Sequence, residues 1–131
     1  MMQGYDLDGT LADVEYANAS VRGLVNVFKS AKVIYKPSRP FVVITARPNT
    51  TAEQRQATTE WLKENQPNFK AIYYVPSGSE ANVAKSKAAV IKRLNLDSYT
   101  CDNEEFNQLL MPLVPGVKVY KMSSRGEKSD A

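Results

Sequence analysis

The chain has 131 residues, a formal net charge of +3, one cysteine and no histidine. This length favours one domain with a hydrophobic core. The absence of histidine excludes Ser-His-Asp and Cys-His catalysis, His-ligated zinc and histidine general bases. Any chemistry must therefore use carboxylates, Lys or Arg, hydroxyl groups and an oxygen-binding metal, which favours Mg²⁺.

Several features bear on the cellular compartment and on partners. Cys101 has no cysteine partner in the chain, which suits a reducing compartment. Asp6 and Asp8 interrupt the N-terminus too early for a signal peptide, and no window approaches the apolar run of a membrane span. We therefore expect a cytoplasmic protein without a membrane segment. The slight basic excess suits an anionic substrate and is weak evidence for nucleic acid.

The first predicted element is a strand that ends in two acids. Asp6 and Asp8 alternate with apolar neighbours, which is the period-two pattern of a strand. Gly9 ends the strand because glycine adopts backbone angles that a side chain disfavours. The two carboxylates leave the same face of the strand, and a cation would relieve their repulsion, so we predict a metal site here. A calcium loop or a plain turn is compatible with the same residues.

Helical and strand patterns alternate along the rest of the chain. Apolar residues at spacings of three and four predict helices at 14–30, from 50 or 51 to 66, at 86–94 and at 104–111. Asn18 or Ser20 is expected to cap the first helix, and Thr51 with Gln54 has the pattern of a capping box for the second. Apolar runs predict strands at 41–44, 71–75, 97–101 and 117–122, with a short edge strand at 33–35.

This alternation predicts an α/β fold, a single Rossmann-like three-layer domain with a central parallel sheet of about five strands. The domain is expected to cover residues 1–122, and the polar residues 123–131 are expected to form a flexible tail. In open parallel sheets, ligands bind beyond the carboxyl ends of the strands, where the strand order reverses. Residues that follow strands are therefore the site candidates, namely Asp6, Asp8, Thr45 and Asp102.

Thr45 and Arg47 follow the predicted strand at 41–44. A hydroxyl and neighbouring backbone N–H groups at a strand end can hydrogen-bond a phosphate oxygen, and an arginine two residues on can add a bidentate contact. The alternative is that Thr45 only terminates the strand.

Four motifs stand in order at strand or helix ends. They are Asp6-Leu7-Asp8-Gly9-Thr10, Thr45, Lys87 ahead of Ala-Ala-Val-Ile, and Asp102 after Ser-Tyr-Thr-Cys. Together they resemble the motifs of haloacid dehalogenase-like (HAD) phosphatases of the small type that has no cap domain. The resemblance implies that Asp6 is a nucleophile, that Asp8 is a general acid and base, and that Thr45 and a lysine at a helix start hold the phosphate oxygens. Lys87 is favoured for that lysine, with Lys85 as the alternative if the helix begins earlier.

The resemblance also implies a cofactor, Mg²⁺, held by Asp6, the backbone carbonyl of Asp8 and Asp102. The chain departs from the family after Asp102, where a second acid commonly follows and this sequence has Asn103. Asn103 is expected to bind the metal through its carbonyl oxygen or through a water. The acids at 104–105 are alternatives, or they simply favour the positive end of the next helix.

The substrate is expected to be a small phosphorylated molecule, with nucleotides favoured. Thr10, Arg47 and Lys85 are the expected substrate contacts, and Arg39, Arg47 and Lys85 are expected near the mouth of the site. The segments at 14–40 and 76–86 leave no room for a cap domain, so a large substrate or a second copy of the chain is expected to cover the site. Two alternatives stay open, a nucleic-acid 3′-phosphatase and a catalytically weak phosphate-binding module on the same fold.

Overall fold

The computed structural model describes residues 2–14 and 21–131. Its strands are β1 (Gln3–Tyr5), β2 (Ala12–Asp13), β3 (Lys32–Val33), β4 (Phe41–Thr45), β5 (Phe69–Tyr74), β6 (Ser98–Cys101), β7 (Lys118–Met122) and β8 (Lys128–Asp130). Its helices are α1 (Val21–Ser30), α2 (Ala52–Asn65), α3 (Glu80–Leu94) and α4 (Glu104–Leu110), followed by a 3₁₀ turn at Met111–Leu113. The predicted α/β alternation is confirmed in these residues.

Six of the strands form one sheet in the order β5-β4-β1-β6-β7-β8, and β2 pairs with β3 in a separate antiparallel ribbon. The first five strands of the sheet are parallel, and β8 runs antiparallel to β7. The chain proceeds from β1 outward to β5 on one side and then crosses to β6 on the other. The strand order therefore reverses beside β1, which is compatible with the predicted Rossmann-like domain.

The register brings the ends of three strands level. Tyr5, the last residue of β1, pairs with Val43 of β4 and with Thr100 of β6. Asp6, Thr45 and Asp102 follow these positions by one or two residues. They therefore emerge at the same edge of the sheet.

Helices cover both faces of the sheet. One core cluster contains Phe41 and Val43 of β4 with Phe28 of α1 and Trp61 of α2, and the other contains alternate β4 residues with Ile91 of α3. Successive side chains of a strand point to opposite faces, so the unbroken apolar run of β4 serves both cores, as the sequence predicted.

Helix starts follow their capping residues. Thr51 and Gln54 form the predicted capping box at α2. Helix α3, in contrast, begins at Glu80 rather than at residue 86, because the Ser79 side chain accepts a hydrogen bond from the Asn82 N–H and caps the helix there. The segment between the predicted strand at 71–75 and the predicted helix at 86–94 therefore contains the N-cap of α3.

The residues that were predicted to form a flexible tail, 123–131, contain a turn and a strand. The chain turns after β7, where the Ser123 N–H donates to the Glu127 carbonyl at 2.9 Å and Gly126 has φ +80°. It then returns as β8, in which Lys128 pairs with Met122. The main sheet therefore has six strands rather than five, because a turn and a short alternating segment follow β7 within the polar sequence.

Three further boundaries differ from prediction at the start of the chain. Strand β1 ends at Tyr5, and the chain from Leu7 to Leu11 forms a turn in which the Leu11 N–H donates to the Leu7 carbonyl at 2.9 Å. Val14 is not helical, and the predicted caps Asn18 and Ser20 lie outside the described residues. The edge strand predicted at 33–35 is observed as β3, paired with β2 instead of the main sheet. Among the described residues, no helix is long and apolar enough to cross a membrane.

Candidate functional site

The carboxyl ends of β1, β4 and β6 surround a cavity of about 220 Å³. Its lining includes seven of the predicted site residues, namely Asp6, Asp8, Thr45, Arg47, Lys87, Asp102 and Asn103. These residues come from four separate segments of the chain, and the parallel register brings them together. We call this space the phosphate cavity, after the phosphate oxygens that Thr45 and Lys87 are predicted to hold.

Asp6 is the first residue after β1, and its carboxylate is hydrogen-bonded from three sides. Its Oδ1 accepts from the Leu7 N–H at 2.8 Å and from Lys87 Nζ at 3.0 Å. Its Oδ2 accepts from the Cys101 thiol at 3.4 Å. The side chain keeps 16 % of its surface exposed, on the side of the cavity. Asp6 is therefore held in a fixed orientation and stays accessible to a ligand.

Lys87 carries its charge into the cavity from the third turn of α3. The side chain is 4 % exposed, and Nζ also donates to the Tyr99 hydroxyl at 2.7 Å. Tyr99 in turn donates to the Ile44 carbonyl at 3.1 Å, so the lysine is fixed by a hydrogen-bond chain that ends on β4. Burial, and secondly the charge of Asp6, raise the pKa of Tyr99 well above its usual range, which keeps it a neutral hydroxyl.

The structure distinguishes the two candidate lysines. Lys87 is buried at Asp6, whereas Lys85 is exposed on α3 and is not part of the cavity lining. The expectation that this lysine stands at a helix start is wrong, because Ser79 starts α3 earlier. The long lysine side chain reaches Asp6 from the middle of the helix.

Arg47 binds Asp8 as well as lining the cavity. Its Nε lies 3.1 Å from both carboxylate oxygens of Asp8, and one terminal nitrogen forms a close ion pair with Oδ1. Its other terminal nitrogen donates to Thr58 Oγ1 at 3.1 Å, and the guanidinium stacks 3.9 Å above the Phe28 ring. Arg47 is 1 % exposed and Asp8 is 12 % exposed. The arginine that was predicted to contact substrate thus fixes the orientation of the predicted general acid, since a buried guanidinium requires an anionic partner.

Both predicted threonines are buried and hydrogen-bonded. Thr45 lines the phosphate cavity, and its Oγ1 accepts from the Arg47 backbone N–H at 3.0 Å, so its hydroxyl hydrogen can be directed elsewhere. Thr10 does not line the cavity. It donates to Asp102 Oδ1 at 3.2 Å, and the structure therefore gives it a contact with a carboxylate and none with the cavity.

Asp102 completes a group of possible metal ligands. One ligand atom each from Asp6, Cys101 and Asp102 lies within 4.8 Å of the others. Burial, and secondly the negative charge of Asp6, raise the pKa of Asp102. A cation between the two carboxylates would remove that repulsion, and carboxylate oxygens are the ligands that Mg²⁺ prefers. The two aspartates therefore fit a magnesium ion.

Cys101 fits Mg²⁺ less well than the carboxylates do. Burial, and secondly the charge of Asp6, raise the pKa of its thiol well above the usual range. The thiol therefore stays protonated and donates to Asp6. Cys101 is a buried residue of the core, and its thiol also contacts the site. Its position directly before Asp102 at a strand end was the signal that could have indicated the contact.

Gly9 allows the first loop to lie against Asp102. Its φ is +80°, and a Cβ atom built on it would lie 2.8 Å from Asp102 Cγ. A side chain here would be strained by the backbone angle and would also displace the carboxylate. The glycine that ends the first motif therefore allows the close approach of the two acidic segments.

Asn103 has a structural contact at the position where it was predicted to bind metal. Its Oδ1 accepts from the Phe106 N–H at 2.9 Å and caps α4, while Nδ2 lies 3.5 Å from Glu80 Oε1. The residue lines the cavity, but its carbonyl oxygen is already engaged. Lys121 contacts Glu104 Oε2 at 3.3 Å, so that acid is paired with a lysine, and Glu104 is not part of the cavity lining.

The basic residues predicted at the mouth do not gather there. Arg39 precedes β4 and so lies at the amino end of the strand, opposite the cavity. Lys85 lies outside the cavity lining, and Arg47 is bound to Asp8. The prediction that Arg39 lies near the mouth is wrong, because a strand separates the residues at its two ends by its whole length.

Comparison of the chain with family models, with curated proteins and with solved structures finds no match.

Proposed function

We propose that the protein is a magnesium-dependent phosphomonoesterase that acts on nucleotides through an aspartyl-phosphate on Asp6. One observation carries the proposal. Asp6, Thr45, Lys87 and Asp102, which resemble the four HAD phosphatase motifs and are far apart in sequence, line a single cavity. An aspartate, a hydroxyl, a cation and a second aspartate around one small space are the groups that phosphoryl transfer requires.

The reaction proceeds in two displacements. A carboxylate oxygen of Asp6 attacks phosphorus, the bond from phosphorus to the ester oxygen breaks, and Asp8 gives its proton to the departing alcohol. A water then attacks the aspartyl-phosphate, Asp8 takes the proton of that water, and the bond between phosphorus and Asp6 breaks. The products are the alcohol and inorganic phosphate, and both aspartates return to their starting states.

Lys87 and Thr45 stabilise the charge that spreads over the phosphate oxygens. Lys87 Nζ lies 3.0 Å from Asp6 Oδ1, so it is directed at the place where the phosphoryl group is attached. Thr45 keeps a hydroxyl hydrogen to donate, because its oxygen accepts from the Arg47 N–H. Both side chains are buried, which makes their positions fixed before substrate binds.

Arg47 sets the geometry of the acid and base. It holds both oxygens of Asp8 and is itself held by Thr58 and Phe28. Asp6 and Asp102, with the Asp8 carbonyl that the resemblance adds, would hold the metal. Mg²⁺, when bound, supplies positive charge that reduces the repulsion between the Asp6 carboxylate and the phosphate.

Hydrolysis of p-nitrophenyl phosphate tests the proposal. We expect turnover that needs Mg²⁺, stops with EDTA, and falls by about a thousandfold or more in Asp6→Asn, since the amide is a very poor nucleophile. Asp130→Asn is the matched control, because Asp130 is an exposed carboxylate on β8 at the edge of the sheet. Absence of turnover with every phosphomonoester tried, in the presence of Mg²⁺, would contradict the proposal.

The contact between Arg47 and Asp8 favours a second candidate, a phosphate-binding module without turnover. Asp8 must exchange a proton during hydrolysis, and a permanent ion pair would oppose this step. The module predicts that inorganic phosphate binds in the presence of Mg²⁺ while no phosphomonoester is hydrolysed. Calorimetric titration with phosphate beside the hydrolysis assay separates the two functions.

A further inference from the structure

A second, larger groove adjoins the phosphate cavity. Its volume is about 1010 Å³, and the two spaces meet at Asp8 and Asp102, which line both. The rest of its lining is Gly9, Asp13, Val14, Ile34, Lys121, Met122, Ser123 and Ser124. We infer that this space, the leaving-group groove, binds the uncharged nucleoside part of a nucleoside monophosphate and selects against polynucleotide ends. The inference rests on the proposed function and names its substrate class.

The position of Asp8 decides which space takes which part of the substrate. Asp6, Thr45 and Lys87 line only the phosphate cavity, whereas Asp8 lines both spaces. In a displacement at phosphorus the ester oxygen leaves on the side opposite the nucleophile, and the acid that protonates it must be within hydrogen-bond reach. The leaving alcohol therefore lies beyond Asp8, in the adjoining groove.

The sizes of the two spaces agree with this division. The phosphate cavity, at about 220 Å³, is smaller than a usual site for a whole organic ligand, and the leaving-group groove is at the upper end of the usual range. A phosphoryl group fits the first space, and the larger second space leaves room for a nucleoside.

The backbone fixes the walls of the leaving-group groove. One wall is the segment that follows β3, and another is the turn between β7 and β8. Gly126 of that turn packs so closely that a Cβ atom on it would lie 2.5 Å from the Ile34 carbonyl oxygen. The Ile34 N–H donates to the Leu11 carbonyl at 2.8 Å, which ties the same wall to the first loop. These two walls of the groove are therefore held in place by the backbone.

The charges in the groove disfavour a polyanion. Apart from Asp8 and Asp102, the charged residues of its described lining are one acid, Asp13, and one base, Lys121. Lys121 is also paired with Glu104 at 3.3 Å. Binding of a nucleic-acid backbone depends on several Lys or Arg side chains that neutralise phosphates. A neutral leaving group avoids this requirement.

The remaining side chains suit a nucleoside. Ile34, which is half-buried, offers apolar surface for a base beside the buried Val14 and Met122, and Ser123 and Ser124 bring hydroxyl groups next to it. Asp13 is an exposed acceptor at the same groove, suited to the hydroxyl groups of a ribose. A mixed lining of this kind recognises an uncharged molecule that has a flat apolar part and several hydroxyls.

Filling the groove tests the inference by equilibrium binding. Ser124 is exposed in the turn after β7, so Ser124→Trp adds a large side chain to the groove without disturbing a core. All variants are made in the Asp6→Asn background, which prevents turnover, and are titrated with a nucleoside 5′-monophosphate and with inorganic phosphate. We expect the Trp variant to bind the nucleotide about tenfold more weakly. Phosphate binding should change by less than about twofold, because the phosphate cavity is not altered.

Ser77→Trp is the matched control, since Ser77 is exposed in the loop after β5 and lines neither space. Equal nucleotide binding in the two Trp variants would overturn the inference. Tighter binding of an oligonucleotide with a 3′-phosphate than of the mononucleotide would also overturn it. Because binding is measured in a variant without turnover, these results do not depend on the hydrolysis assay that tests the proposed function.

A charge reversal gives a second, independent result. Asp13→Lys adds positive charge at an exposed position of the groove. We expect this variant to improve binding of the 3′-phosphorylated oligonucleotide about tenfold at low salt, relative to the mononucleotide. An unchanged ratio of the two affinities would place both substrates elsewhere and would contradict the inference.

Discussion

The two sides of the phosphate cavity differ in how their carboxylates are balanced. On one side Lys87 pairs with Asp6 and Arg47 pairs with Asp8, and both cations are almost completely buried. On the other side Asp102 accepts a hydrogen bond from Thr10, and it forms no ion pair with any residue in the described part of the chain. In the described part of the chain, the cavity thus has two paired cations for three aspartates. The side at Asp102 is where an added cation would be stabilised most.

Removing a cation from the paired side should have the largest effect. Lys87→Ala leaves the buried side of Asp6 and the Tyr99 hydroxyl without their partner, so we expect a loss of about 3–5 kcal/mol in the free energy of unfolding. Hydrolysis of p-nitrophenyl phosphate should fall about a hundredfold or more. Urea unfolding and initial rates measure the two quantities.

Lys85→Ala is the control for that experiment, because Lys85 is an exposed lysine on the same helix. It should leave the free energy of unfolding within about 0.5 kcal/mol of the wild-type value. If the two lysine variants lose equal amounts of stability and activity, the pairing of Lys87 with Asp6 does not stabilise the protein, and the difference between the two sides of the cavity is contradicted.

A change in the first loop tests the contact that positions Asp102. Gly9→Ala places a methyl group 2.8 Å from Asp102 Cγ at a φ of +80°, so we expect a loss of about 1–3 kcal/mol in stability and a higher Mg²⁺ concentration for half-maximal activity. Gly116→Ala is the matched control, because a Cβ atom there meets no atom within 4 Å. If both variants need the same Mg²⁺ concentration, the first loop does not position the metal ligand.

The pH dependence of stability tests the unpaired side. In metal-free protein, the pKa of Asp102 is raised in the folded state by burial and by Asp6, so the folded state holds its proton more tightly than the unfolded state does. This stabilisation is fully present below the unfolded pKa, about 3.9, and is lost as the pH rises through the folded pKa. We therefore expect the melting temperature of metal-free protein to fall across this range relative to Asp102→Asn.

Adding Mg²⁺ should reverse that trend at the higher pH values, because a cation favours the ionised carboxylate. Thermal melts of the wild type and of Asp102→Asn, each with EDTA and with Mg²⁺, measure the four curves. If the melting temperatures of the two proteins depend on pH in the same way with EDTA, another group already balances the charge of Asp102, which would contradict the account.

The smallest expected effect concerns Asn103, which lies next to Asp102 but caps α4. Asn103→Ala should cost about 1 kcal/mol in stability, whereas Asn103→Ser, which keeps a capping oxygen, should cost less. Neither variant should change the Mg²⁺ concentration for half-maximal activity if the Asn103 oxygen only caps the helix. A clear increase in both variants would restore its predicted role as a metal ligand.

Much of the sheet could be predicted because its signals are local. The apolar run before Thr45 and the capping box at Thr51 depend on neighbouring residues, and both are observed as predicted. The predicted start of α3 was wrong because its N-cap, Ser79, lies in a segment with the composition of a loop. Strand β8 was missed because a short polar edge strand depends on pairing with β7, which composition does not indicate.

The site was predictable to a similar degree. Parallel strand ends meet at one edge, so the grouping of Asp6, Thr45 and Asp102 followed from topology. The hydrogen-bond and ion-pair partners of the site residues could not be predicted from topology. The contact between Arg47 and Asp8 and the hydrogen-bond chain from Lys87 to Tyr99 join residues that are distant in sequence, and only packing determines them. Arg39 is close to Thr45 in sequence, but the length of β4 separates the two residues.

Identification of the residue that carries the phosphoryl group tests the central claim most directly. The protein is mixed with p-nitrophenyl phosphate and Mg²⁺, quenched with acid during turnover, and digested for mass spectrometry. The account predicts one phosphoryl group on the peptide that contains Asp6, and none in Asp6→Asn. Turnover accompanied by a phosphoryl group on any other residue, or turnover that persists in Asp6→Asn, would contradict it.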